Sequence, residues 1–288
     1  MGDTDALLTA WLGTTAARHI PRDHAAPRAL VHAVNPAYTR WDAEALPALQ
    51  AGLRLARHAK AHFMLPGNVY NFGEAMPPLL AEDTPFRPSN AKGRLRVEME
   101  AQAARAAQEG AFTASVIRSG DFLGPGTGAW LDQAIVKSLR AGKLVYPGPL
   151  HLPHAWAYLP DLARAFVRVA PLANAQTFQN WHFEGYTLTG AELLDAIEAA
   201  AGSLGAAPAS GFHRGGMPWG LIAAIGLVYP LWRELAGMSY LWRVPHALEG
   251  RHLAALMAGS PAVTPLPLAL RDCLSALGHG ALATPVRA

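Results

Sequence analysis

Lys92 stands just inside the start of a helix in the stretch RPSNAKGRLRVEME, residues 87 to 100. A lysine so placed supports acid–base chemistry only beside a group that can exchange a proton. Two upstream side chains in LPGNVY could serve a reacting oxygen: Asn68, whose amide donates a hydrogen bond, and Tyr70, whose phenol could donate a proton. Packing is the competing role for Tyr70. Further on, RSGDFLGPGTG (118 to 128) puts glycines where a backbone can approach a ligand closely, or where a strand simply turns into a helix. Asp121 lies in that loop as either a polar contact or a surface carboxylate. His151, His154, Trp156 and Tyr158 follow in HLPHAWAY and could line a pocket, with His154, Trp156 and Tyr158 the candidate substrate contacts.

These groups need elements to position them. ALVHAVN (29 to 35) is a short apolar run ended by Asn35 and Pro36, as for a strand buried on both faces. From Asp42, read as an N-cap, Leu46, Leu49 and Leu53 recur at helical spacing toward Lys60. HFMLPGNVY is a second strand, and the proline-rich residues 74 to 90 form a surface loop. Ala91 to about Gln108 is helical, with Leu95, Met99, Ala103 and Ala106 as its core stripe and Glu98, Glu100, Arg94 and Arg96 as a solvated face. FTASVIRSG is a third strand. Alternating strands and helices of this kind predict an α/β fold with a parallel sheet. Beyond it come a helix near Trp130 to Ala141, a strand LVYPG, a helix with Pro160 at its first position and Asp161 at its positive end, a strand FQNWHFEG, and a helix begun by Thr189.

Composition excludes several classes. The chain has 288 residues, 51% of them hydrophobic, and a formal net charge of +3. Its positive residues are scattered rather than gathered into a stripe, so no nucleic-acid partner is implied. Cys273 is the only cysteine, which rules out an intramolecular disulfide and fits a reducing cytoplasm. Its apolar setting reads as a buried structural thiol. His151 and His154 lack an evident third ligand, so no metal is expected. His182 reads as a core or edge residue. The N-terminus has no signal-peptide pattern. Met217 to Trp232, MPWGLIAAIGLVYPLW, is too short to span a bilayer and is closed by Arg233 and Glu234. It reads as a buried or pocket-lining helix, with peripheral membrane contact the alternative.

The motif order LVHAVN, FMLPGNVYNFG, EDTPFRP with AKGRLRVEME, VIRSGDFLGPGTG and HAWAYLPDLARAF resembles the extended short-chain dehydrogenase/reductases, the NAD-dependent epimerase/dehydratase group, over roughly residues 29 to 172. The resemblance implies a Rossmann-like sheet, NAD or NADP, and a small organic substrate. A homodimer is a candidate assembly, which the sequence itself does not determine. Carried over residue by residue, it puts Lys92 at the cofactor ribose, with Val34, Arg118, Ser119, Gly120 and Gly124 along the cofactor and the loop to Gly126 beside the nicotinamide. Tyr70 or Asn68 then stands at the reacting oxygen.

Three departures accompany it. The glycine-rich turn that holds a pyrophosphate is missing, since only 29 residues precede Leu30, where three strands and two helices need roughly 50. Residues 1–28 are therefore expected to form a helix and an irregular segment, as a truncated or shifted gene start would produce. Pro88 stands where the family's catalytic tyrosine lies, four residues before Lys92. Pro66 stands where its serine or threonine polarises the substrate. The expected layout is an atypical segment 1–28, an N-terminally incomplete Rossmann-like domain 29–173, and a mostly helical cap 174–288. Aromatic residues in the last part, Trp219, Trp232, Tyr240 and Trp242, are either ordinary core or, if they line the pocket, favour an apolar or aromatic substrate over a nucleotide sugar. The reading is an NAD(P)-dependent oxidoreductase, epimerase or dehydratase, with a catalytically inactive binding protein as the alternative.

Overall fold

The computed structural model describes residues 29–110, 112–124, 128–172, 176–258 and 263–280. The expected N-terminal helix and irregular segment, residues 125–127 of the glycine-rich loop, and the boundary near residue 174 lie outside them.

Described residues up to Gly73, with Pro85–Arg118 and Phe166–Trp181, make one compact unit; Glu74–Thr84, Ser119–Ala165 and the residues from His182 onward make the other. The first unit is built on a four-stranded sheet in the order β1 (Ala29–Val31), β2 (His62–Gly67), β4 (Ala114–Arg118), β8 (Phe178–His182). β1 pairs parallel with β2, and β2 parallel with β4, in the register Leu30 to Phe63 and Leu65 to Val116. Parallel neighbours require crossovers. Helices α1 (Trp41–Ala59) and α2 (Ala91–Glu109) supply two of them. Leu49, Leu53 and Ala56 of α1 and Met99 and Ala103 of α2 pack on Phe63 and Leu65 of β2 and on Ala114 and Val116 of β4. Every residue of β4 is buried, as a central parallel strand requires.

Local chemistry explains the helix limits, with one change from expectation. Asp42 lies within the first turn of α1 and Arg40 occupies the N-cap without a side-chain cap bond, while Lys60 ends the helix in a left-handed conformation at φ 49°. Asn90 caps α2 by accepting from the Gly93 N–H at 2.8 Å. Glu100 departs from its expected solvated face: it is buried.

The second unit contains three small sheets. β5 (Asp121–Leu123) runs parallel to β7 (Pro153–Tyr158), which pairs antiparallel with β9 (Tyr186–Thr189). β6 (Lys143–Tyr146) pairs with β10 (His213–Gly216), and β3 (Leu79–Leu80) with β11 (Ala247–Leu248). The third expected strand therefore divides after Arg118, its continuation joining a different sheet. Helices α3 (Leu159–Val169), α4 (Gly190–Ser203), α5 (Trp219–Gly226), α6 (Pro230–Gly237), α7 (Arg251–Met257) and α8 (Leu266–Ala276) follow in order. Thr189 and Glu192 form a reciprocal capping box at the start of α4. The helix expected near Trp130 to Ala141 is instead a short π-type turn, Leu131–Ile135, and a 3-10 turn, Leu139–Ala141. Asp132 accepts from the N–H groups of Gly128 and Ala129, which holds the chain in that tight entry. Leu193, Leu194 and Ile197 of α4 and Leu270, Cys273 and Leu274 of α8 share a core with Tyr146, Trp156 and Trp242.

Candidate active site

Because β1, β2 and β4 are parallel, their carboxyl ends share one edge of the sheet. In open α/β sheets that edge is where ligands bind. His32 and Val34 follow β1, Asn68 and Tyr70 follow β2, Arg118 ends β4, and Lys92 enters from the first turn of α2.

Gly93 decides how close Lys92 and Tyr70 come. A Cβ at Gly93 would lie 2.5 Å from the Tyr70 carbonyl oxygen, so only glycine lets α2 begin against that backbone. Trp41 borders both side chains: its ring centroid is 6.3 Å from that of Tyr70 and 5.1 Å from Lys92 Nζ. Lys92 is buried, its Nζ donating to the Tyr38 carbonyl at 2.7 Å and lying 4.1 Å from the Tyr38 ring centroid. Aromatic faces stabilise such a desolvated cation. One turn along α2, Arg96 donates to the Pro66 carbonyl. Burial lowers the Arg96 pKa, Glu100 and Tyr70 oppose that shift, and Arg118 adds to it, so its guanidinium lies within electrostatic reach of the Tyr70 phenol.

The other predicted residues of this unit hold different positions. Asn68 uses its Oδ1 to accept from the Tyr70 N–H at 3.1 Å, capping the turn Val69–Phe72 and leaving its amide nitrogen as donor. Val34 is exposed beyond β1. Arg118 is 0% exposed: it pairs with Glu100 at 2.7 Å, donates to the Asn68 carbonyl, and lies 5.2 and 4.9 Å from the Phe72 and Phe86 rings. Its side chain is thus an internal strut, and any contact it makes with a ligand must come through backbone. Pro88 packs by Gly93, with its Cβ 3.0 Å from where a Gly93 Cβ would lie.

Sequence reading missed His32. It is buried at the carboxyl end of β1, stacked on Phe63 at 5.8 Å, and its pKa is lowered by burial and then by Arg96. A polar residue interrupting the apolar run LVHAV was the available signal.

The remaining predicted residues belong to the second unit, where the side chains of Ser119, His154, Trp156 and Tyr158 are buried. Ser119 is buried, a Cβ at Gly120 would meet the Ala155 carbonyl oxygen at 2.1 Å, and one at Gly124 would meet Leu159 at 2.4 Å. Close packing on β7 and α3 accounts for both glycines. Trp156 is fully buried, and Tyr158 donates to Asp272. His154 bonds Asp121 at 2.8 Å and stacks on Trp242 with centroids 4.4 Å apart and planes 5° from parallel. His151 is exposed, and His182 is buried with its Nδ1 against the Leu80 carbonyl. Among the described residues no group of three or more His, Cys, Asp or Glu is arranged to hold a metal ion.

His246 completes the His154 cluster, 4.5 Å from its ring, and was not singled out from sequence. Its Nδ1 donates to the Val244 carbonyl at 2.9 Å, and burial followed by repulsion from His154 pushes its pKa down to about 3. The sign follows directly. The unfolded imidazole takes up a proton near pH 6.5 and the folded one only near pH 3, so stability is fully present above the first value and falls as pH drops between them. His32 and His62 are shifted in the same direction by burial. Chemical denaturation at stepped pH should therefore show stability falling by up to about 1.4 kcal/mol per pH unit for each such histidine. His246→Gln should flatten that slope, and an unchanged slope would remove His246 as a cause.

No protein-family model and no curated protein matches the chain. Solved structures do. L-threonine dehydrogenase from Phytophthora infestans is 16% identical, with 96% of this chain and 84% of that chain covered at a TM-score of 0.64. MoeE5 in complex with UDP-glucose and NAD is 13% identical, with 85% and 77% covered at 0.61. Human epimerase family protein SDR39U1, isoform 2, with NADPH is 19% identical, with 84% and 76% covered at 0.57. These dehydrogenase and epimerase structures agree with the Rossmann-like fold expected from the motif order, and that is the fold of this chain.

Proposed function

We propose that the chain is an NAD(P)-dependent oxidoreductase or epimerase acting on a small, apolar compound that bears a hydroxyl or carbonyl group. The observation that carries the reading is the gathering of Lys92, Arg96 and Tyr70 around Trp41, by the carboxyl edge of three parallel strands. The fold shared with structures that hold NAD or NADPH supports it.

The residues present fit one end of such a cofactor. Lys92 would hold the nicotinamide ribose, beside the backbone that leaves β1 at Val34. Among the described residues no glycine-rich turn at a helix start offers amides to a pyrophosphate. The nicotinamide supplies hydride exchange when bound. Tyr70 exchanges the accompanying proton with the substrate oxygen, and the Arg96 charge stabilises the phenolate left behind. Asn68 donates a hydrogen bond to the same oxygen. An apolar substrate follows from the walls, Tyr38, Trp41 and Tyr70, and from two cations already bound to the Tyr38 and Pro66 carbonyls. Nucleotide-sugar phosphates would want several convergent cations. The buried Cys273 thiol, pushed up to about pKa 12 by burial, is no candidate nucleophile.

A second reading, a binding protein without redox chemistry, is favoured by Pro88 in place of a phenol and by the bond tying Lys92 to Tyr38. Calorimetric titration with NAD(H) and NADP(H) tests the cofactor claim. Saturable binding at micromolar concentrations that Lys92→Ala weakens at least tenfold is expected; no binding up to millimolar cofactor would sink it.

A further inference from the structure

The stretch expected to be buried, Met217 to Trp232, is largely in solvent. Leu227 is 84% exposed, Val228 76%, Tyr229 61% and Leu221 60%, and Pro230, Leu231 and Trp232 are exposed as well. The six residues from Leu227 to Trp232 form an unbroken apolar run through the turn between α5 and α6 and the first turn of α6. It is held firmly at both ends. Trp219 donates its indole N–H to the Pro147 carbonyl at 2.6 Å, Ile222 is buried, and the return segment Met238 to Trp242 is buried throughout. Gly226 lets the two helices cross tightly, since a Cβ there would lie 2.8 Å from the Arg233 nitrogen. The exposed tip is therefore a built feature of the hairpin and not a frayed end.

Exposed apolar surface of this extent marks an interaction site. Its chemistry suits a lipid surface better than a protein. A protein interface surrounds its apolar centre with a polar rim that exchanges hydrogen bonds. From Met217 to Trp232 no side chain is charged, and the Tyr229 hydroxyl is the only polar group apart from the Trp219 and Trp232 indoles. α5 is apolar on every face, the composition of a helix surrounded by hydrocarbon. Its eight residues span about 12 Å, far short of a crossing. No described helix is long and apolar enough to cross a membrane. Tyr229 and Trp232 are the aromatic types that settle at the headgroup level. Charge begins only after the run, with Arg233 and Glu234, so the apolar tip meets the boundary with no net charge to desolvate.

We infer that the α5–α6 tip docks this protein onto the surface of a phospholipid bilayer, with Leu227, Val228 and Tyr229 entering the acyl boundary. The test is flotation of the full chain with extruded vesicles of phosphatidylcholine and phosphatidylglycerol, comparing wild type with the double variant Leu227→Glu, Val228→Glu. Both positions face solvent, so thermal melting should not change. The expected result is vesicle binding by wild type and a fall of at least tenfold in partition for the variant. Absence of wild-type binding, or binding indifferent to the variant, overturns the inference. Self-association in sedimentation velocity that the variant abolishes, without vesicle binding, would assign the tip to a second copy instead and overturn it equally.

Discussion

Glu100→Ala lowers the unfolding free energy by about 3–5 kcal/mol, the cost of leaving a buried guanidinium without its counter-ion. Arg118 is fully enclosed and pairs with Glu100 at 2.7 Å, while Phe72 and Phe86 flank it and no solvent reaches it. The loss has a further structural consequence. Arg118 also donates to the Asn68 carbonyl, and Asn68 caps the turn that carries Tyr70, so a strained strut disturbs the edge that presents the phenol. Urea unfolding of the single variant measures the first effect. The double variant Glu100→Leu, Arg118→Met separates charge from packing, because an apolar pair of similar volume should recover most of the loss. A single variant within about 1 kcal/mol of wild type would show that the pair is better solvated than its geometry indicates.

If the proposed function holds, Tyr70→Phe should leave cofactor affinity within about threefold of wild type and lower turnover by about 10²–10⁴-fold, the range general acid–base catalysis supplies. The phenyl ring preserves the contact with Trp41, and the turn and its Asn68 cap use only backbone at residue 70. The substitution removes the phenolic hydroxyl and with it the exchangeable proton. The measurement is oxidation of the reduced cofactor against a panel of apolar aldehydes and ketones. Equal turnover in both proteins would take Tyr70 out of the chemistry and return it to packing. Wild type that binds cofactor but turns over no substrate would favour the binding-protein reading.

Much of the first unit was legible in the chain itself. The short apolar runs expected as strands became β2, which continues through Pro66 and Gly67, and β4, because a strand buried on both faces needs no alternation. In the second unit Thr189 begins and caps its helix as expected, while Asn90, which was not singled out, caps α2; their side-chain oxygens satisfy amides that the first turn leaves unpaired. The absence of a phenol at Pro88 was also plain, and no packing can restore a proton that a side chain does not have. Apart from the cap of α1, which is Arg40 and not Asp42, the reading failed on elements held by distant contacts. The helix expected near Trp130 is two short turns, and β5 leaves the sheet that β4 joins.

Sequence alone therefore determined the order and type of most elements, the parallel sheet they build, and which reactive groups exist. These depend on local periodicity, capping and side-chain chemistry. Tertiary structure decided what those groups do. Glu100 lies two residues from solvent-facing Glu98 on one helix, and only the approach of Arg118 from β4 makes its burial tolerable. Lys92 meets the carbonyl of Tyr38, and His154 meets His246, across separations that no local pattern records. The run from Leu227 to Trp232 is as apolar as any core segment, yet hydropathy measures a side chain's preference and not whether another surface covers it. A polar residue is buried, or an apolar one exposed, according to neighbours that arrive only when the chain folds.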